Sequence, residues 1–154
     1  MDIRPDDLTH PAVHALLEEH MAGMRALSPP ESVHALDLAR LHHPSITFWT
    51  AWDGATLLGC GALRELDSLQ GEIKSMRTPS ALRRRGAGKA ILNHIIAVAH
   101  QRGYQRLSLE TGPQEGFAQA HALYRGAGFV DTGPFGNYKP DPFSRFLTLA
   151  LPQD

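Results

Sequence analysis

Apolar residues recur every three or four positions in two long segments of the chain. In the first segment, after Pro11, one face carries Val13, Leu16, Leu17, His20, Met21 and Met24. In the second segment, after Gly88, the repeat is carried by Ile91, Ile95 and Val98. This spacing is typical of an amphipathic α-helix that packs one face on a core. We therefore predict two long helices, the first ending at residues 28–32 and the second at Gly103.

Segments rich in β-branched and aromatic residues predict about seven strands. In chain order these strands are residues 2–5, 46–52, 56–66, 71–78, 106–110, 129–130 and 143–151. The dipeptide Asp53-Gly54 predicts a hairpin between the second and third strands. Two shorter helices are also predicted, one capped by Ser32 and reaching Leu41, the other over residues 116–125. The predicted order is β-α-α-β-β-β-α-β-α-β-β.

Length and charge narrow the class of protein. At 154 residues and a formal net charge of −1, the chain can bury a proper core, and we predict one domain over residues 1–154. The near-neutral balance argues against general nucleic-acid binding. No apolar run approaches the ~18 residues of a membrane span, and Asp2, Asp6 and Asp7 lie where a signal peptide would be apolar. We expect a cytoplasmic protein, since the single cysteine, Cys60, excludes an intrachain disulfide.

The histidines and the cysteine do not form a recognisable reactive motif. The chain has nine histidines, but it has no His-Glu-x-x-His pattern and no Cys/His cluster, so we predict no metal site. No histidine lies at a sequence spacing from Cys60 that would indicate a catalytic partner. We interpret it as a small buried strand residue rather than a nucleophile.

One octapeptide at the start of the second long helix indicates anion binding: Arg83-Arg84-Arg85-Gly86-Ala87-Gly88-Lys89-Ala90. A helix start presents unpaired N–H groups and the positive end of the helix macrodipole. Two glycines let an anion approach those groups, and arginines at the rim add charge-assisted hydrogen bonds. The segment predicts a phosphate or pyrophosphate site. A helix start with solvated basic residues is the alternative that this segment alone leaves open.

Other phosphate motifs fit this segment less well. A P-loop requires Ser or Thr after its Gly-Lys pair, and Ala90 stands there. A Rossmann fingerprint requires a third glycine where Ile91 stands. The pattern Arg83-x-x-Gly86-x-Gly88 instead resembles the coenzyme A pyrophosphate loop of the GNAT acyltransferases.

Two further features extend this resemblance over essentially the whole chain. Leu123-Tyr124-x-x-x-Gly128-Phe129 is similar to a segment of the last helix in that family, and the predicted order of elements is the family's order. Several segments also resemble one small bacterial branch of unassigned substrate. The resemblance implies an α/β (α+β) fold, with a mixed, mostly antiparallel sheet of about seven strands flanked by about four helices. We expect the sheet to open where strands 71–78 and 106–110 part.

The resemblance also implies acetyl-CoA as cosubstrate. The strand before the loop would contact the pantetheine and the oxyanion through its backbone, and the loop would hold the pyrophosphate. Many family members carry Asn where this chain has Phe117, so the pantetheine contact there must differ or come from elsewhere. The residues expected to bind the coenzyme are Met76, Arg77, Thr78, Arg83, Arg84, Arg85, Gly86, Ala87, Gly88, Lys89, Phe117 and Tyr124.

Two residues are expected to move protons. In the family, the tyrosine at the position of Tyr124 approaches the coenzyme sulfur and can act as a general acid, and some members place a general-base glutamate at the position of Glu72. Tyr124 could instead be a core tyrosine whose hydroxyl finds a polar partner. Glu72 could be a solvent-facing strand carboxylate or a partner of Lys74 across the turn. Many members deprotonate the amine through water alone.

The acceptor site is expected between the first two helices and the late loop, although each of its candidates could equally be a solvated loop residue. These candidates are Ser28, His34, Lys74, Tyr138 and Ser144. The implied function is acetyl-CoA-dependent N-acetyl transfer to a primary amine of a small molecule or peptide, by direct attack in a ternary complex. A non-catalytic acyl-CoA-binding module and a nucleotide-binding regulator are the alternatives. A homodimer is compatible with this interpretation, whereas nucleic-acid and membrane partners are not expected.

Overall fold

The predicted order of strands and helices is confirmed. The computed structural model describes residues 1–32, 38–79, 82, 86–112 and 117–152. Within them lie seven strands and four helices, together with a short 3-10 turn at Pro30–Ser32. The strands are β1 (Asp2–Pro5), β2 (Ile46–Asp53), β3 (Thr56–Asp67), β4 (Gln70–Arg77), β5 (Arg106–Thr111), β6 (Val130–Thr132) and β7 (Arg145–Ala150). The helices are α1 (Pro11–Leu27), α2 (Leu38–Leu41), α3 (Ala87–Gln101) and α4 (Ala118–Gly126).

The strands form one mixed sheet in the order β1-β2-β3-β4-β5-β7-β6. Each neighbouring pair is antiparallel except β4 and β5, which run parallel. A parallel pair requires a crossover connection, and α3 supplies it between β4 and β5. The predicted mixed and mostly antiparallel sheet is therefore confirmed.

The sheet opens at its parallel pair. Pairing between β4 and β5 covers only residues 70–73 and 106–109. Beyond that point β4 continues along β3, and β5 continues along β7, so the two strands separate. The paired residues Lys74 and Arg77 are three residues apart on β4, whereas their partners Ala62 and Cys60 are two residues apart on β3. The extra residue on β4 forms a β-bulge. Within the bulge, Ser75 has a φ of +54°. The predicted opening of the sheet is confirmed.

Helices cover both faces of the sheet. On one face α3 and α4 pack with Leu63, Ile73, Leu107 and Leu109 in one apolar cluster. On the other face α1 contributes to a second apolar cluster. The buried residues of this cluster are Leu8, Val13, Leu16, Leu17, Leu41, Phe48, Trp52, Leu57, Cys60 and Ala62. Among the described helices, none combines the length and the apolar character that crossing a bilayer would require.

Some element ends differ from the predictions. Within the described residues α2 is a single turn at Leu38–Leu41, and Ser32 ends the preceding 3-10 turn; residues 33–37 lie outside the description. His10 caps α1 by accepting a hydrogen bond from the Ala12 N–H at 3.0 Å. Helix α4 ends at Gly126, one residue beyond the predicted end at Arg125. The chain turns at Gly128, whose φ is +104°.

Substitution of Gly61 by alanine is expected to destabilise the fold. A Cβ there would lie 2.6 Å from Met76 Sδ and 2.8 Å from Ile91 Cγ2, so the close contact between β3 and α3 would have to widen. Overpacking of this kind costs about 1–3 kcal/mol in the free energy of unfolding. The control is Gly126→Ala, since a Cβ at Gly126 meets no atom within 4 Å and alanine favours a helix by about 1 kcal/mol. Urea unfolding should show opposite signs for the two variants, and equal stabilities would contradict the packing.

Candidate active site

The start of α3 keeps the geometry of an anion site. Gly86 precedes the helix with a φ of +82°, which glycine adopts without strain, and a Cβ there would meet no atom within 4 Å. Gly88 faces α4, where a Cβ would lie 3.5 Å from Leu123 Cδ2. The first N–H groups of α3 have no acceptor within the helix, so they are available to a ligand. The predicted partners Arg83, Arg84 and Arg85 lie outside the described residues.

A cleft of about 640 Å³ lies where β4 and β5 separate, and we call it the strand cleft. It is lined by every described residue that was predicted to bind the coenzyme: Met76, Arg77, Thr78, Gly86, Ala87, Gly88, Lys89, Phe117 and Tyr124. Helix α1 adds His20 and Gly23 to the wall. The fold thus brings the end of β4, the start of α3 and one face of α4 to a single cavity.

Two aromatic residues, at the N-cap of α4 and within the helix, form one side of the strand cleft. Phe117 is the N-cap of the helix, and its ring lies so close to Gly112 that no side chain would fit there. Tyr124 is buried, and its ring packs edge-to-face on Phe129 at a centroid distance of 5.8 Å. Burial raises the pKa of the Tyr124 hydroxyl above its ordinary value. The phenol is therefore held in its protonated form at neutral pH.

A second cavity of about 740 Å³, which we call the polar cavity, contains Glu72. Glu72 is only 1% exposed, so its interpretation as a solvent-facing carboxylate is wrong. Its Oε2 accepts hydrogen bonds from Lys74 Nζ at 3.3 Å and from the Tyr138 hydroxyl at 2.5 Å, and Lys74 Nζ also donates to the Tyr138 oxygen at 2.8 Å. Lys74 lies two residues along the same strand, not across the turn. Burial and the Glu72 carboxylate together raise the pKa of Tyr138.

The two cavities meet at Lys74. Successive strand residues point to opposite faces, and accordingly Ile73 and Ser75 line the strand cleft whereas Glu72 lines the polar cavity. Lys74 lines both. A group bound in one cavity therefore borders on a group bound in the other at this side chain.

The other residues predicted for the acceptor site do not line the polar cavity in the part of the chain that the structure describes. The Ser144 hydroxyl donates to Glu110 Oε2 at 2.7 Å, and Glu110 lines the strand cleft. Ser28 is buried at the C-terminal end of α1, where its N–H donates to the Met24 carbonyl, and it lines neither cavity. His34 lies outside the described residues.

Four buried side-chain atoms of the described residues have no hydrogen-bond partner, and all four belong to cavity walls. His20 Nδ1, Ser75 Oγ and Arg77 Nε belong to the strand cleft, and Glu72 Oε1 belongs to the polar cavity. Because buried polar atoms are nearly always paired, these are the atoms that bound water or a ligand would satisfy. Sequence analysis missed His20 and Ser75: His20 appeared only as one member of an apolar helix face.

The cysteine and the other histidines form no reactive centre in the part of the chain that the structure describes. Cys60 is completely buried, its thiol donates to the Ser75 carbonyl at 3.2 Å, and burial raises the pKa of the thiol to about 12. Its interpretation as a buried strand residue is confirmed. Among the described residues no group of three or more His, Cys, Asp or Glu side chains could hold a metal ion.

Comparison with known proteins decides the family. The sequence profile described as "Acetyltransferase (GNAT) family" matches residues 13–129. The chain belongs to the GNAT acetyltransferase family. The uncharacterized N-acetyltransferase YedL of Escherichia coli (strain K12) is 54% identical over 149 residues, covering 97% of this chain and 94% of the relative. The uncharacterized N-acetyltransferase YsnE of Bacillus subtilis (strain 168) is 52% identical over 151 residues, covering 98% and 100%.

A solved structure with a bound ligand shares the fold. The GNAT family acetyltransferase of Elizabethkingia anophelis with acetyl-CoA bound superposes with a TM-score of 0.70 at 23% identity, and the match covers 97% of each chain. The resemblance deduced from the loop and the last helix is thus confirmed for both family and fold. This GNAT protein is an N-acetyltransferase by family.

Acidification is expected to destabilise this GNAT domain through His20. Burial, with the charges of Arg77 and Lys74 nearby, lowers the pKa of His20 from 6.5 to about 4. Between these values the unfolded chain binds a proton that the folded protein excludes, so the free energy of unfolding falls as pH falls. The full loss in the free energy of unfolding from this group amounts to at most about 3 kcal/mol.

Urea unfolding at pH 7.5 and pH 4.5 measures this contribution. His20→Gln should lose less stability on acidification than the wild type does, because the titrating imidazole is gone. The control, His42→Gln at an exposed position, should keep the wild-type difference. An identical pH dependence in the wild type and His20→Gln would contradict the assignment.

Proposed function

We propose that this GNAT protein transfers the acetyl group of acetyl-CoA to a primary amine of a small molecule or peptide. The amine nitrogen attacks the thioester carbon directly in a ternary complex, and the coenzyme thiolate leaves. The observation that carries the proposal is the meeting of two cavities at Lys74, each with buried polar atoms that await a partner. Two substrates that react with one another require such an arrangement.

The residues of the strand cleft fit acetyl-CoA. The pyrophosphate binds at the first N–H groups of α3, where Gly86 leaves the approach open and the macrodipole favours negative charge. Pantetheine lies along residues 76–78, whose backbone edge faces the cleft without a strand partner from β5. Phe117 replaces the polar side chain that many family members use there, so on that side the contact with pantetheine is apolar. The thioester then lies beside Lys74 and Tyr124.

Tyr124 supplies a proton to the leaving thiolate. Its burial keeps the phenol protonated, and a protonated phenol can donate to sulfur as the bond to the acetyl group breaks. The position of Tyr124 in the wall of the strand cleft, next to the place where β4 and β5 separate, supports this role.

Glu72 accepts the proton of the incoming ammonium, through a water molecule. Oε2 is occupied by Lys74 and Tyr138, but Oε1 is buried and without a partner, so it can accept a hydrogen bond from the acceptor side. Tyr138 and Lys74 fix the carboxylate in one orientation. The cytoplasmic location, the homodimer and the single domain over residues 1–154 stay predictions from the sequence.

Gly86→Asp is expected to abolish coenzyme A binding, because it puts a negative side chain in front of the helix start. Gly103→Asp is the matched control at the other end of α3: its φ of +81° is nearly the same, and a Cβ there also meets no atom within 4 Å. Both variants carry similar backbone strain, so only the electrostatic and steric effect on the ligand differs. Of the two variants, only Gly103→Asp should show binding heat when coenzyme A is titrated. Equal coenzyme A affinities of the two variants would refute the anion site.

Release of the coenzyme thiol from acetyl-CoA, measured with a panel of primary amines, tests the reaction itself. The wild type should release thiol in an amine-dependent manner, whereas an acyl-CoA-binding module would bind acetyl-CoA without turnover. Tyr124→Phe removes only the hydroxyl and should lower kcat by about 10²–10⁴-fold with little change in coenzyme affinity.

Tyr104→Phe is the control for the tyrosine variant. Tyr104 is also buried, but its hydroxyl donates to Glu65 at 2.7 Å and it lines neither cavity. Its loss should affect stability rather than kcat. Full activity of Tyr124→Phe would mean that the thiolate leaves without this proton.

A further inference from the structure

We propose that the acceptor is a small zwitterion, an amino acid or a related amine that carries a carboxylate. Glu72 receives its ammonium group, and Arg64 binds its carboxylate. The inference rests on the proposed function, and it specifies the substrate class of the polar cavity. The evidence is that one buried carboxylate oxygen, Glu72 Oε1, and one half-buried guanidinium, that of Arg64, have no partner among the described residues.

Three other carboxylates of the polar cavity are already engaged within the fold. Glu65 accepts the Tyr104 hydroxyl at 2.7 Å, and Asp67 accepts the Leu69 N–H at 2.8 Å. Asp141 accepts the Phe143 N–H at 2.8 Å. These carboxylates hold loops in place and are poorly suited to select a ligand. The acceptor atom left for a ligand deep in the cavity is Glu72 Oε1.

Arg64 is the cationic counterpart. It lies on β3 directly opposite Glu72 in the strand register, it is half-buried, and it lines the polar cavity. Side chains of such cross-strand pairs start about 5 Å apart, on the same face of the sheet. Within the described residues Arg64 makes no hydrogen bond or ion pair. Its charge nevertheless acts on Tyr138, where it opposes the rise of the tyrosine pKa, so the guanidinium lies near the cluster.

The arrangement of these two groups suits a zwitterion. Lys74 and Tyr138 occupy Glu72 Oε2, while Oε1 has no partner and does not pair with Arg64. A ligand that donates to Oε1 and accepts from the guanidinium completes both residues at once, and guanidinium groups bind carboxylates in a bidentate manner. The ammonium end is then held on the strand whose next inward residue, Lys74, borders the strand cleft.

The same charges disfavour other amine classes. A polyamine or an amine with several cationic groups would place positive charge against Arg64 and Lys74, and like charges brought together are unfavourable. An amine without a carboxylate would leave the half-buried guanidinium without a partner. Acceptor choice is therefore determined by the carboxylate that the molecule carries in addition to the reacting amine.

The test compares L-amino acids with their α-carboxamides, which keep the amine and lose the negative charge. The wild type should favour the acids in kcat/KM, and Arg64→Gln should lower the acid-to-amide ratio by about 10- to 100-fold, chiefly through KM of the acids. The control is Lys139→Gln, which removes an exposed cation from the same cavity and should change the ratio by about twofold or less.

Several outcomes would overturn the proposal. One is amides, polyamines or other amines without a carboxylate reacting as well as the acids. Another is an equal loss of acid and amide activity in Arg64→Gln. If no amine is acetylated, the proposed function fails separately. The carboxylate site is then tested by calorimetric titration of amino acids and their amides into the wild type and Arg64→Gln, each with coenzyme A present. Equal affinities for acids and amides, or equal affinities of the two proteins for the acids, would refute the site.

Discussion

The separation of β4 from β5 is the constraint on which the site depends. A strand inside a sheet normally satisfies its backbone on both edges, and burying unpaired N–H and C=O groups is costly. Beyond Ile73, however, β4 retains only β3, and beyond Leu109, β5 retains only β7. The inner edges of both strands therefore face the strand cleft with backbone groups that a ligand rich in amides can pair. In the proposed complex, the amide groups of the coenzyme pair with these strand edges.

The opening also determines which side chains meet. The bulge at Ser75 interrupts the regular alternation of β4, and the consecutive residues 73–78 all line the strand cleft, while Glu72 lies in the polar cavity. Lys74 stands between the two with its ammonium group fixed by Glu72 and Tyr138. If β4 were paired regularly along its whole length, its side chains would be divided between the two faces of the sheet.

Local patterns sufficed to predict most of the fold, because helical spacing, the Asp53-Gly54 hairpin and the glycines at the start of α3 act over a few residues. The position of Tyr124 in the wall of the strand cleft could also be predicted, since its motif is local in the sequence. The burial of Glu72 could not. It depends on Tyr138, which is 66 residues away in a loop whose course is set by tertiary packing. The bulge left no signal either, because a serine occupies the left-handed position where glycine would have indicated it.

The environment of Cys60 has a consequence for an enzyme that handles thioesters. Acetyl thioesters exchange with thiolates, and an accessible cysteine beside the acetyl group could become acetylated in place of the amine. Cys60 lies on β3 against the bulge, yet its thiol is sealed from solvent and kept protonated. The chain has no other cysteine. The protein therefore offers no competing sulfur to its own donor, and a thiol-specific reagent added during turnover would respond to the released coenzyme alone.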